Sequence, residues 1–130
     1  MDKAQALHLF WSSFGIPAID ENSAYDTNVL EQLGIGYPRI TYEVGESNLG
    51  EPQMLTASLW YRQTSWAAVE AKAQQIAAFI GWGGKTVPID GGYMRFMLPR
   101  DTIIFRRMAD ENDSLRRIVF NISVDYLTAT

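Results

Sequence analysis

Apolar residues recur with helical spacing in two segments of the chain. In the first segment they lie three or four residues apart, at Leu7, Phe10, Trp11 and Phe14. This spacing predicts a helix over residues 3–14 that Asp2 caps and that Gly15 and Pro17 end. The second segment is the most regular, with a stripe at Trp66, Val69, Ala73, Ile76, Ala77 and Ile80.

The ends of the second helix are marked by residues suited to that role. Thr64 or Ser65 is predicted to cap the N-terminus, because a hydroxyl oxygen accepts a free backbone N–H. Gly81 is predicted to end the helix in the left-handed αL conformation. The sequence therefore predicts a second helix from Trp66 to Ile80.

Alternation of apolar and polar residues predicts strands in much of the remaining chain. Alternation is clear in residues 39–44, 53–62 and 115–127, and further strands are predicted over residues 86–89, 93–98 and 102–108. Asp90-Gly91-Gly92 separates two of them and favours a tight hairpin turn. Residues 16–37 show no clear period and are predicted to form a loop, which at this length indicates an interaction surface or an unrecognised element.

The order of these elements predicts an α+β fold. Its features are a mainly antiparallel sheet, two helices packed on one face, and a long projecting hairpin loop. The length of 130 residues suits one domain spanning 1–130, and 47% hydrophobic residues suit a folded one. No run of residues is long and apolar enough for a membrane span, and no signal peptide is indicated.

Composition excludes several kinds of chemistry. The chain has no cysteine and one histidine, which removes thiolate sites and histidine clusters. Its net charge of −4 argues against a broad basic surface for nucleic acid. His8 has no serine, cysteine or carboxylate at a motif spacing, so neither catalytic residues nor a cofactor are predicted.

Two short segments resemble ligand-binding loops and fail on their spacing. Gly83-Gly84-Lys85-Thr86 ends like a phosphate-binding loop, but Phe79 stands where the first glycine belongs. Residues 110–114 open like a calcium loop, but Leu115 and Asn121 occupy the essential glycine and glutamate positions. No metal site is predicted, although a weak cation site at the second segment stays open.

Candidate protein-interaction residues fall in three groups. The polar hairpin tip contributes Glu46, Ser47, Asn48, Leu49 and Glu51. Trp60 and Trp82 are difficult to bury in one subunit, and aromatic residues are enriched at protein contacts. The third group flanks the predicted last turn and consists of Arg106, Arg107, Arg116 and Arg117.

The distribution of charge along the chain gives a further reason to consider these four arginines. Residues 1–60 hold two basic and eight acidic residues, a net charge of −6, whereas residues 61–130 hold nine and seven, a net charge of +2. If Met108 pairs with Leu115, the arginines face one another directly, which is destabilising unless anions lie near. Those anions are predicted to come either from the turn itself, at Asp110, Glu111 and Asp113, or from the acidic half of a neighbouring copy.

Several segments together resemble one family. They are Ala6-Leu-His-Leu-Phe-Trp-Ser-Ser-Phe-Gly-Ile-Pro-Ala, Ile40-Thr-Tyr-Glu-Val, Thr56-Ala-Ser-Leu-Trp-Tyr-Arg with Thr64-Ser-Trp, Asp90-Gly-Gly-Tyr and Asn121-Ile-Ser-Val-Asp-Tyr-Leu. Through them the chain resembles the tail terminator (tail completion) proteins of long non-contractile-tailed bacteriophages and prophages. The resemblance spans nearly the whole chain and rests on structural patterns, not on catalytic signatures.

The resemblance implies a structural protein of the virion tail, made in the host bacterial cytoplasm. Six copies would form a homo-oligomeric ring that caps the tube of major tail protein, stops its growth and presents a surface to the head-side neck or connector proteins. DNA would pass through the lumen without specific recognition, and no membrane would be involved. Two alternatives stay open: a neck or head-completion connector, and a small α+β ligand-binding domain or enzyme.

Overall fold

The computed structural model describes residues 1–21, 36–45, 53–108 and 114–128, and within them the chain forms two helices and seven strands. The helices are α1 (Lys3–Ser12) and α2 (Ala67–Ile80). The strands are β1 (Ala18–Asp20), β2 (Arg39–Tyr42), β3 (Gln53–Tyr61), β4 (Lys85–Ile89), β5 (Gly92–Met97), β6 (Phe105–Met108) and β7 (Arg116–Thr128). The predicted α+β class is confirmed.

One sheet contains all seven strands, in the order β1-β2-β3-β7-β5-β4, with β6 also paired to β7. Every described pair is antiparallel except β1 with β2. The long strand β7 is central, because β3 follows one of its edges while β5 and β6 share the other. The predicted hairpins of β2 with β3 and of β4 with β5 are both confirmed.

The chain leaves the sheet between β5 and β6. Met97 pairs with Ser123 and Phe105 pairs with Phe120, so the seven residues 98–104 pass opposite only two residues of β7. Asn121 holds this excursion through two donated hydrogen bonds of 2.8 Å, from its backbone N–H to the Ile104 carbonyl and from Nδ2 to the Ile103 carbonyl. The excursion therefore lies over the side of the sheet that Asn121 faces.

Both helices pack on one side of the sheet, which we call the inner face. The buried side chains of β7 alternate along the strand at Ile118, Phe120, Ile122, Val124 and Tyr126. Trp11 of α1 meets the Phe120 ring edge-on with centroids 6.2 Å apart, and Phe10 meets Phe96 at 4.2 Å. Val69, Ala73, Ile76 and Ile80 of α2 join the same core. The intervening strand residues point to the opposite side, the outer face.

Local sequence explains the helix ends. Asp2 and Gln5 form a reciprocal capping box at the start of α1, which satisfies two otherwise free backbone donors. The N-cap of α2 is Trp66, whose side chain makes no capping hydrogen bond, so the prediction of Thr64 or Ser65 as the cap is wrong. The Ser65 hydroxyl nevertheless accepts a hydrogen bond of 3.1 Å from the Ala67 backbone N–H. Gly81 ends α2 with φ 65° and ψ 170°, so the predicted positive φ is present but the αL conformation is not.

The structure corrects two further predictions. Residues 18–20, predicted to lie in a loop, form β1, a strand too short for alternation to reveal. Met108 pairs with Arg117 and not with Leu115, which moves the pairing of β6 by two residues. A shift of two keeps every side chain on its own face, and it lets Phe105 stack on Phe120 with ring centroids 5.9 Å apart.

Some predicted features fall outside the described residues. They are the hairpin tip with Glu46, Ser47, Asn48, Leu49 and Glu51, and the turn residues Asp110, Glu111 and Asp113. Neither helix of the described ranges is long and apolar enough to cross a lipid bilayer.

Candidate interaction surfaces

The corrected register separates the four predicted arginines. Arg106 lies opposite Val119 and Arg107 lies opposite Ile118, so no arginine of β6 faces one of β7 directly. Because neighbouring residues of a strand point to opposite sides, one arginine of each strand faces inward and one faces outward. The predicted direct opposition of Arg107 with Arg116 and of Arg106 with Arg117 is therefore wrong.

The inward pair is held by the beginning of α2 and by the residues just before it. Arg107 forms an ion pair with Glu70 through its Nε. The guanidinium groups of Arg107 and Arg116 lie 4.8 Å and 5.5 Å from the Trp66 ring centroid. Arg116 also donates from Nε to the Thr64 carbonyl oxygen at 3.1 Å. These contacts join the pair to the body of the protein.

The outward Arg117 is fixed by Trp60 and Ser58 of the neighbouring strand. Its guanidinium lies 4.7 Å from the Trp60 ring centroid, and its Nε donates a hydrogen bond of 3.0 Å to the Ser58 hydroxyl. The Trp60 indole in turn donates to the Thr41 hydroxyl at 2.9 Å. Trp60 is thus half-buried on the outer face and rigidly oriented.

Two more arginines extend this cluster. Arg39 is the other strand neighbour of Trp60, and its guanidinium lies 4.2 Å from the Tyr37 ring centroid, which Arg62 also approaches, at 4.7 Å. Arg39 Nη2 donates to the Tyr37 hydroxyl at 3.0 Å. Arg39 is only 8% exposed, and its Nε and Nη1 have no hydrogen-bond partner within the described ranges.

Arg106 completes the cluster at its other end. It is exposed on the outer face, diagonally next to Arg117, since it pairs with Val119, two residues further along β7. Together with Thr56, Thr102 and other outer-face residues it lines a polar cavity of about 260 Å³. We call the set Arg39, Arg62, Arg106 and Arg117, with the rings of Tyr37 and Trp60, the arginine surface.

Among the residues that the structure describes, no carboxylate forms an ion pair with the arginine surface. Two ion pairs connect described residues, Met1 with Asp90 at 2.7 Å and Arg107 with Glu70, and neither includes an arginine of this surface. A cation–π contact contributes roughly 0.5–1 kcal/mol at an exposed site, but the contacts of Arg39, Arg62 and Arg117 leave their charges unneutralised. The arginine surface is therefore a cluster of positive charge with open hydrogen-bond donors.

Within the described ranges, large exposed apolar side chains are divided equally between the two sides of the sheet. Met1, Leu9, Phe79 and Trp82 lie on or beside the helices, and Met54, Tyr93, Ile103 and Leu127 lie on the outer side. Trp82 is the most exposed of them at 63%. Leu9, Phe79 and Val87 are among the residues that line an apolar groove of about 310 Å³ between α1 and β4.

His8 lies on α1 next to Leu9 of the apolar groove, and it contacts two hydroxyl groups. Its Nδ1 is 3.1 Å from the Tyr42 hydroxyl and its Nε2 is 3.4 Å from the Ser12 hydroxyl. Burial, and to a smaller extent the Asp20 carboxylate, raises the pKa of Tyr42 above its ordinary value of 10.0. The phenol therefore stays protonated at neutral pH and anchors the His8 ring to the core.

The structure brings some of the predicted interaction residues together and adds further residues to the arginine surface. Trp60 lies against Arg117, whereas Trp82 lies in the turn after α2. Sequence reasoning missed Arg39 and Arg62, although Arg39 and Trp60 both occupy polar-face positions of the predicted strands. No group of three or more potential metal ligands occurs within residues 1–21, 36–45, 53–108 and 114–128.

Comparisons of the chain with protein-family models, with curated proteins and with solved structures found no match.

Proposed function

We propose that the protein is a tail terminator, a ring-forming subunit that caps the tail tube of a long non-contractile-tailed bacteriophage or prophage. The proposal begins from the resemblance of five sequence segments to that family. The α+β fold, with two helices on one face of a mainly antiparallel sheet, agrees with what the resemblance implies.

One observation carries the proposal furthest: surfaces suited to protein contact lie on both sides of the sheet. Large apolar side chains such as Leu9 and Trp82 are exposed beside the helices, while Ile103 and, within the arginine surface, Arg62 and Arg106 are exposed on the outer side. A subunit that meets two ring neighbours, a tube below and a neck above needs several separate contact surfaces. A subunit with one partner needs a single patch.

In this proposal the ring halts tube growth by covering the growing end with a different protein. Contacts around a ring are head to tail, so each subunit uses two different surfaces toward its two neighbours. The net charge of −4 suits a lumen that lets DNA pass without holding it, because a basic lumen would bind the phosphates.

Electron microscopy of particles from a phage or prophage with this gene deleted tests the proposal. A terminator defect gives overlong tails without attached heads, and the intact gene supplied in trans restores tails of normal length. Headless tails of normal length would contradict the proposal and favour the neck or head-completion connector.

Thermal unfolding in the presence of metals and nucleotides tests the remaining alternative. A ligand that binds only the folded state raises the melting temperature. A reproducible rise, together with normal tails in the deletion, would overturn the terminator proposal in favour of a ligand-binding domain or enzyme.

A further inference from the structure

We infer that the arginine surface binds a second copy of this chain at its acidic edge, which consists of Glu21 after β1 and Glu43 after β2. These two surfaces together form the contact between neighbouring subunits of the ring. This inference rests on the proposed function, because it identifies the surfaces through which the proposed ring closes. It is tested separately from tail capping.

The arginine surface requires an anion that the described residues do not supply. Arg39 and Arg62 share the Tyr37 ring, and Arg39 and Arg117 both adjoin Trp60, so like charges are gathered around two aromatic side chains. Arg62 and Arg106 are exposed, so carboxylates of another chain can reach them. Like charges held close together are destabilising unless anions lie near.

A protein carboxylate fits this surface better than a nucleic-acid backbone does. Guanidinium groups bind carboxylates through paired hydrogen bonds, and here Arg39, Arg62 and Arg117 are held by cation–π contacts, Arg117 also by Ser58. Binding along a nucleic acid requires a broad basic surface, but the chain as a whole carries a net charge of −4. A compact acidic surface is therefore the matching partner.

A second copy carries such an acidic surface. Residues 1–60 have a net charge of −6. Within them Glu21, which follows β1, is exposed, and Glu43, which follows β2, is half-buried. Neither of these glutamates belongs to an ion pair between described residues. Because β1 is the edge strand among the described strands, a neighbour can approach this acidic edge.

The two surfaces lie at different positions in the sheet. Arg39 is beside Trp60 at one end of β2, and Glu43 follows the other end, where its N–H donates to the Thr56 carbonyl. At about 3.3 Å per residue, four residues separate them by roughly 13 Å along the strand. A contact between the arginine surface of one copy and the acidic edge of the next is therefore head to tail, as a ring requires.

Two neutralising variants and their mixture provide the test. Arg62→Gln with Arg106→Gln removes exposed positive charge from the arginine surface without touching the core, and Glu21→Gln with Glu43→Gln removes the acidic edge. Lys85→Gln, which neutralises an exposed cation on β4, is the matched control. Circular dichroism first confirms folding, and sedimentation velocity at low salt then measures self-association.

The parent and the Lys85→Gln control are expected to self-associate, and each double variant is expected to lose about tenfold or more in association constant, as for close interfacial charge pairs. Mixing the two double variants leaves one intact contact per pair and gives 1:1 dimers that do not grow further. High salt dissociates the parent, because the Debye length falls to about 3 Å at about 1 M.

Other outcomes overturn the inference. A parent that stays monomeric at low salt up to about 1 mM, near the weakest affinity range considered for binding, contradicts it, as do double variants that associate like the parent. In either case overlong tails in the deletion strain would still support the terminator, so the two proposals fail independently.

Discussion

The inner and outer arginines come from the same two strands and have opposite surroundings. Arg107 and Arg116 face the helices, where Glu70 and the Trp66 ring hold them. Arg106 and Arg117 face outward, where Trp60 and Ser58 position Arg117 but no described carboxylate neutralises either arginine. The inner pair therefore stabilises the fold of its own chain, whereas the outer pair can still bind carboxylates of another chain.

The two faces of β7 show the same contrast in their apolar residues. Inner residues such as Phe120 are fully buried under the helices, whereas outer neighbours such as Val119 are only half-buried. A sheet with one covered and one open face is stable as a monomer. Apart from the part that residues 98–104 cover, the outer face can therefore take part in contacts that form later.

Substitutions at the adjacent positions Phe120 and Val119 should show the largest difference in lost stability. Phe120→Ala is expected to destabilise the chain by about 3–5 kcal/mol, because it leaves a cavity beneath Trp11. Val119→Ala should cost about 1 kcal/mol or less, since its side chain is half exposed. Urea unfolding midpoints at unchanged slope measure both values. Equal losses would mean that the outer face is as tightly packed as the inner one.

Alkaline pH provides a second probe of the inner face. Burial raises the pKa of Tyr42, Tyr61 and Tyr126 above the ordinary value of 10.0. A pKa higher in the folded state means that the stabilisation is complete below pH 10 and is lost as the pH rises through the folded-state value. Unfolding free energies measured across this range should therefore fall.

Tyr42→Phe sharpens the pH experiment by removing one titrating hydroxyl. The variant loses the contact with His8 and should be less stable than the parent at neutral pH. Its decline above pH 10 should be shallower, because one ionisation no longer opposes folding. If the free energy of unfolding of the variant fell as steeply as that of the parent, ionisation of Tyr42 would not be a cause of the loss of stability.

Neutralising one charge on each face should change the stability least, and only the inner substitution is expected to have a clear cost. Glu70→Gln is expected to cost about 0.2–1 kcal/mol, the usual contribution of a partly exposed ion pair. Arg106→Gln should change stability by less than about 0.5 kcal/mol, or raise it slightly by relieving repulsion from Arg117. Thermal unfolding at low and high salt compares them. A clear loss from Arg106→Gln would reveal an intramolecular partner for that arginine.

Much of the fold could be predicted from sequence because most of its elements are long enough to show a period. Alternation identified β7, and Asp90-Gly91 identified the hairpin of β4 with β5, where Gly91 has a φ of 81°. The three residues of β1 are too few for any period, so their parallel pairing with β2 was not predictable.

The register of β6 shows a different limit. Pairing Met108 with Leu115 or with Arg117 puts the same residues on the inner face, so alternation does not distinguish them. Tertiary contacts favour the second choice, since it stacks Phe105 on Phe120 and separates the arginines. The contribution of Arg39 to the outer cluster likewise depends on which strand lies beside Trp60.

Hydroxyl-radical footprinting of the free chain and of tube-capping assemblies tests most directly whether the outer face is an assembly surface. Labelling of Trp60 and Met54 on that face should fall sharply on assembly, while Trp11, which is 1% exposed, should stay unlabelled in both states as an internal reference. Assemblies that cap tubes while Trp60 and Met54 are labelled as fast as in the free chain would contradict the account.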